Sequence, residues 1–224
     1  VALPVLVWLI DGAVRRHADQ GPMRRLAAAA DTGWWWGFGY FLAGLHWIGE
    51  AFLVEAEVFA VFMPFAVMLM PAGLALFYGA AAAAAATAWK SGVWRVLALA
   101  LSLSAMEWLR GHVLTGFPWN VLGYALTSPV ELMQSAAVLG IYGLTLVAVL
   151  VFGLPAILGS EAGAGRGRLR WAALAVALLP LLVAGGLGRA RLAYATSDTV
   201  PGVKIRIVQP SVPQREKWRP ENWA

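Results

Sequence analysis

VFAVFMPFAVMLMPAGLALFYGAAAAAAATAW, residues 58–89, runs 32 positions without a charged side chain. About 20 predominantly apolar residues cross the hydrocarbon core of a bilayer. The stretch is long enough to span with tilt, although Pro64 and Pro71 interrupt it. Working outward, 132–160 and 171–188 are similar runs, 33–53 is apolar and aromatic except for Glu50 near its end, and 93–114 is apolar except for Glu107, Arg110 and His112. This predicts five full spans. Residues 1–10 are apolar but too short to cross. They read as the tail of a further helix, because neither a basic leader nor a small-residue cleavage site accompanies them.

Composition points the same way. The 224 residues are 60% hydrophobic and 13% charged, with a mean hydropathy of +0.69. A soluble domain carries about 25% charged residues, so water alone cannot solvate this surface and membrane lipid is the implied solvent. The net charge of +5 would suit nucleic acid, but the basic residues sit in short loops between apolar runs. That is an orientation signal, and no nucleic-acid partner is implied. Three alternating loops hold Arg15, Arg16, Arg24, Arg25, Lys90, Arg95, Arg166, Arg168 and Arg170; the other two hold Arg110 among Glu50, Glu55, Glu57 and Glu131. Nine against one predicts cytoplasmic basic loops and a last span that exits on the periplasmic side. Arg189 and Arg191, just after that span, run against the rule.

There is no cysteine, which excludes disulfides, thiolate metal sites and a cysteine nucleophile within these residues. No cofactor is implied, and His46 has no partner at metal-ligand spacing. The tract at 79–88 suits close helix packing, and no internal repeat supports an inverted-repeat transporter. From Val203 the texture changes. VKIRIV alternates apolar and charged side chains as a strand does, and Pro210 and Pro213 follow it. A lone strand cannot cross a bilayer, so a water-soluble fold is expected to begin there and to continue past Ala224.

Three segments could carry chemistry. In EWLRGHVLTGFPWN, residues 107–120, Glu107 and Arg110 share a helix face and are expected to pair. Gly116 and Pro118 then break the helix before Trp119 and Asn120. Broken backbone at membrane depth must be buried in protein or line a cavity, and ionisable groups there face the interior or water. The plainer reading makes the pair an interfacial anchor and Trp119 part of an aromatic belt. In GFGYFLAGLHWI, residues 37–48, His46 and Trp47 fall at the periplasmic end of their span, where packing roles are the ordinary ones. Trp34, Trp35 and Trp36 read as a cytoplasmic interfacial anchor. QPSVPQREKW, residues 209–218, reads as a polar loop.

Taken together and in this order, the glycine- and aromatic-rich span ending in Trp47, the EWLRG…TGFPW element at 107–119 and the IRIVQPSVPQREKW stretch at 205–218 resemble the bacterial apolipoprotein N-acyltransferase family. The resemblance covers essentially the whole chain. It implies an all-α polytopic transmembrane helical bundle over residues 1–192, with residues 1–10 as the end of the second helix and the full spans as helices three to seven. Residues 193–224 would be a linker and the truncated start of a periplasmic α/β nitrilase-like domain, an αββα sandwich. The implied reaction moves an acyl chain from a phospholipid donor to the α-amino group of the diacylglyceryl-modified N-terminal cysteine of lipoproteins, in the bacterial inner membrane. The family's Glu, Lys and Cys would lie past Ala224, so these residues alone are expected to be inactive. The implied substrate-binding set is Glu107, Arg110, Trp119, Asn120, His46, Trp47 and Trp218, which matches the family's tryptophan after the first strand. A non-catalytic scaffold would lack the downstream cysteine. A transporter with a broken helix at Pro118 would have no need of a soluble α/β domain.

Overall fold

The computed structural model describes residues 2–159, 167–196, 201–213 and Glu216, and they fold as a helical bundle. Helix α1 (Ala2–Arg16) buries Leu3, Leu6, Val7 and Ile10, the three- and four-residue spacing of one helical face. The chain turns at Gly21, whose φ is 86°, and Pro22 opens α2 (Pro22–Leu45). Proline suits the first turn because its missing N–H would have had no intrahelical partner. A 3-10 turn (His46–Leu53), α3 (Ala56–Phe59) and a second 3-10 turn (Ala60–Phe62) lead into α4 (Met63–Thr87). The long uncharged run is therefore segmented before Pro64, while Pro71 lies buried inside α4.

Small residues decide how α2 and α4 meet. A Cβ on Gly33 would lie 2.5 Å from Ala82 Cβ and 2.6 Å from Tyr78 O, and one on Gly37 would lie 2.7 Å from Tyr78 Cβ. The alanine tract buries Ala81, Ala82, Ala85 and Ala86 at or near this contact. Close backbone approach of this kind gives the dispersion contact that holds the two helices together. The expected anchor role of the tryptophan run is corrected here, because α2 starts at Pro22 and the run sits at mid-helix. Trp34 Nε1 donates to Ala72 O at 3.0 Å, and Trp36 stacks on Tyr40 and Tyr78 with centroids 5.5 and 5.7 Å away. Trp35 alone faces outward.

Helix α5 (Val93–His112) packs on α4. After an irregular segment and a 3-10 turn (Leu122–Leu126) come α6 (Val130–Met133), α7 (Ala136–Gly153), a 3-10 turn (Leu154–Ile157) and α8 (Gly167–Tyr194). The span expected over 132–160 is broken: Gly140 has φ 63° and ψ 176°, outside helical geometry. At the start of α5, Arg95 is buried and pairs with Asp11 of α1. Trp89 Nε1 donates to the same carboxylate at 2.7 Å, and Trp8 Nε1 to Ala156 O at 2.9 Å. Arg95 is thus an internal ion-pair residue and not the loop charge of the orientation count. Removing it leaves eight basic residues on that side, which does not change the sign.

Two stretches among the described residues, Ala56–Thr87 and Ala136–Ile157, are long and apolar enough to cross a membrane, with mean hydropathies of 2.1 and 2.4. Only 11% of the most apolar window of the first is buried, the reverse of a soluble core helix. Of the other expected spans, α2, α5 and α8 have 24, 20 and 28 residues, ample in length; charged positions interrupt α2 and α5, whereas the sequence of α8 is free of charge from 171 to 188. Residues 203–208 correct the strand expectation. No strand forms among the described residues, and Ile205 and Ile207 stand 82% and 90% exposed. Alternation alone does not make a strand, which needs a neighbour to take its backbone hydrogen bonds.

Candidate functional site

Three residues before α5 gives way at Val113, Arg110 is 1% exposed, and three residues earlier Glu107 is fully buried. The ion pair expected between them does not form. Arg110 Nη1 donates to the carbonyls of Phe117 at 2.5 Å and Trp119 at 2.8 Å, and its guanidinium lies 5.0 Å from the centre of the Phe41 ring. Phe117 N–H returns a bond to Arg110 O at 2.9 Å. Glu107 Oε1 accepts from Tyr78 Oη at 2.7 Å and Leu122 N–H at 3.0 Å. Its Oε2 accepts from Thr145 Oγ1 at 2.6 Å, and that hydroxyl accepts in turn from Gly123 N–H at 3.0 Å.

The reason the pair is split lies in the broken backbone. Residues 113–121 leave carbonyls and amides without helical partners, and a buried orphan of that kind costs about 1–3 kcal/mol. The cation takes the carbonyls and the carboxylate takes the amide and two hydroxyls. One charge therefore serves each kind of orphan, and α4, α5 and α7 are tied to the turn at Leu122. Two glycines make room. A Cβ on Gly111 would overlap Tyr142 Oη, and one on Gly123 would overlap Ile141 O.

The segment then lies across the end of α2. Asn120 has φ 52°, in the left-handed region that asparagine tolerates better than most residues. Its carbonyl accepts from Tyr40 Oη at 3.1 Å. Its side chain covers Gly44, where a Cβ would overlap Asn120 Nδ2. One turn on, Trp47 stacks against Trp119 with centroids 5.4 Å apart. The two indoles border a cleft of about 710 Å³, lined also by Ile48, Glu50, Phe59 and Met70.

Six of the seven candidate residues can thus be placed. Glu107 and Arg110 form the buried support, Asn120 the joint, and Trp47 and Trp119 the cleft wall. His46 stands apart: it is exposed, lines no part of the cleft, and its Nδ1 lies 2.9 Å from Ala43 O in the last turn of α2. Trp218 lies outside the described residues. The sequence reading missed Tyr40, Gly44, Tyr78 and Thr145. The spacing of Tyr40, Gly44 and Trp47 along one face was a usable signal, whereas Tyr78 and Thr145 were only isolated hydroxyls in apolar runs. Among the described residues no three His, Asp or Glu side chains gather to hold a metal.

A helical bundle with outward apolar faces and a buried polar network supporting an aromatic cleft defines the class: an apolar helical scaffold that holds a cleft at one end. The family model described as "Apolipoprotein N-acyltransferase N-terminal domain" matches residues 1–154. The chain is 48% identical over 214 residues to the apolipoprotein N-acyltransferase of Rhodopseudomonas palustris, covering 96% of this chain and 39% of the relative. To the protein of that name from Brucella suis biovar 1 it is 49% identical over 220 residues, covering 97% and 40%. To that from Sinorhizobium fredii the identity is 46% over 218 residues, with 97% and 40% covered. The chain belongs to the apolipoprotein N-acyltransferase family, and it spans about two-fifths of the length of these curated relatives.

Proposed function

We propose that these residues form the membrane-spanning platform of a phospholipid:apolipoprotein N-acyltransferase in the bacterial inner membrane. In this reading the basic loops are cytoplasmic, and the chain leaves α8 on the periplasmic side toward a nitrilase-like domain. That domain supplies the chemistry: a cysteine thiolate attacks a phospholipid ester and keeps the acyl chain as a thioester. The ester C–O bond breaks and the lysophospholipid leaves as its alcohol, with a glutamate carrying the proton and a lysine at the developing oxyanion. The amino group of the diacylglyceryl-modified cysteine of a lipoprotein then attacks the thioester. The 224 residues contain no cysteine, and in this reading their part is to receive and present lipid.

The observation that carries the reading is the stacked Trp47–Trp119 pair at the edge of a mostly apolar cleft, on a broken segment whose carbonyls Arg110 holds. Indoles suit the boundary between lipid and water, with an apolar face and one polar N–H. The outward faces support the membrane placement: Phe65, Leu69 and Leu76 of α4 and Leu182 and Leu187 of α8 are all more than half exposed. Trp119→Ala in the whole protein tests it. Membrane insertion and expression should stay normal while thioester formation slows several-fold. Unchanged thioester formation and turnover would remove the functional reading of the cleft.

A further inference from the structure

Arg189 and Arg191 are left over from the charge tally, standing on the side that the other loops leave almost free of basic residues. Arg191 has a distinctive setting. It lines a groove of about 330 Å³ between the first turn of α7 and the second half of α8. Val138 and Leu139 form one wall and Pro180, Val183 and Leu187 the other. Val138, Val183 and Leu187 are 85%, 57% and 67% exposed, so the groove opens outward along an apolar face. Gly140 breaks α7 directly after Leu139, so this wall belongs to a separate turn from the helix behind it. A smaller pocket of about 40 Å³ shares Leu139, Pro180 and Ala184 with the groove and extends it toward the bundle.

The polar groups at the rim are not equivalent. Gln134 Nε2 donates to Val130 O at 3.2 Å and Ser135 Oγ to Leu132 O at 2.6 Å, both within their own turn. Arg191 makes no hydrogen bond or ion pair among the described residues. A long apolar slot with an unpaired guanidinium lining it is complementary to one kind of molecule.

We propose that this groove binds a glycerophospholipid, with an acyl chain between α7 and α8 and the phosphate on Arg191. A flexible chain fills a narrow open slot whose lining would otherwise lose its dispersion contacts. The guanidinium presents forked donors that match phosphate oxygens, which explains why a cation stands there against the orientation bias. The inference rests on the membrane placement proposed above. The site is separate from the tryptophan cleft, with which it shares no lining residue.

The test is photolabelling of the chain in bilayer discs with phosphatidylglycerol carrying a diazirine in one acyl chain, followed by peptide mapping. Label should appear in residues 134–139 and 183–191. Arg191→Gln, at an exposed position that leaves the fold intact, should lower it about five-fold, the worth of one basic residue against an anionic lipid near a membrane surface. Ala184→Trp, which fills the groove floor, should lower it to background while label near Trp47 is unchanged. Diacylglycerol with the same diazirine needs no variant and should label the groove only as well as phosphatidylglycerol labels Arg191→Gln. Equal labelling by the two lipids, or an unaffected Arg191→Gln, overturns the phosphate contact. Competition by excess inorganic phosphate overturns the choice of a lipid. Label on outward α4 peptides but none in the groove sinks this inference alone, whereas release of the chain by alkaline carbonate removes the membrane placement with it.

Discussion

Trp119 is stacked on Trp47, with ring centroids 5.4 Å apart and ring planes at 26°, although 72 positions separate them in the chain. Neither indole is placed by its own local structure alone. Trp47 sits in the 3-10 turn that ends α2, and Trp119 sits in an irregular segment whose carbonyls are held by Arg110. The stack depends on two further contacts, the Tyr40 hydroxyl on Asn120 O and the Asn120 side chain over Gly44. Each is open to a direct experiment.

At Gly44 a methyl group would overlap Asn120 Nδ2. Gly44→Ala should destabilise the protein by about 1–3 kcal/mol, the usual cost of overpacking, and should alter the indole fluorescence as the stack opens. Asn120→Gly keeps the left-handed backbone and removes the obstacle, so the double variant should recover most of the loss. Additive effects in that cycle would mean the two positions do not meet.

Thr145 is a relay, accepting from Gly123 N–H and donating to Glu107 Oε2. Thr145→Val keeps the shape and strands both partners in a buried site, which should cost about 1–3 kcal/mol. Thr145→Ser should restore most of it. A thermal melt of the purified protein reads the difference, and equal melting of the valine and serine forms would count against the relay.

At the opposite end of α5, Asp11→Ala leaves Arg95 buried without its carboxylate, and Trp89 Nε1 loses its acceptor. The loss should be about 3–5 kcal/mol. Replacing both charges, Asp11→Leu with Arg95→Met, should cost far less, since an uncompensated buried charge is worse than none. A melt in which the double variant is the less stable would reverse that account.

The orientation proposed from the loops predicts that a reporter active only in the periplasm works when fused after Ala224 and fails after Arg168. The opposite pattern of activity would end the argument from charge.

Much of the helical architecture could be read directly from the sequence. Uncharged runs of sufficient length, a glycine-rich span, a tract of small residues suited to close packing, and a helix break at Gly116 and Pro118 are local properties, and each has a local cause. The position of Trp119 in a broken segment beside the bundle was accessible in the same way. The buried partners were not. Glu107 and Arg110 look like an ion pair because three-residue spacing brings them to one helix face. In the folded protein each finds a stronger demand, because orphaned carbonyls and amides of residues 117–122 compete for them. The donors to Glu107 come from Tyr78 and Thr145, 29 positions before it and 38 after it, separations at which helical periodicity carries no information. Arg95 shows the same thing: a loop charge by position, it is an internal partner of Asp11 once α1 packs beside α5. The sequence thus determines which segments become helices and where they break. Only the tertiary structure decides where the buried charges go, because burial removes water and leaves each polar group to whatever partner the packing brings within reach.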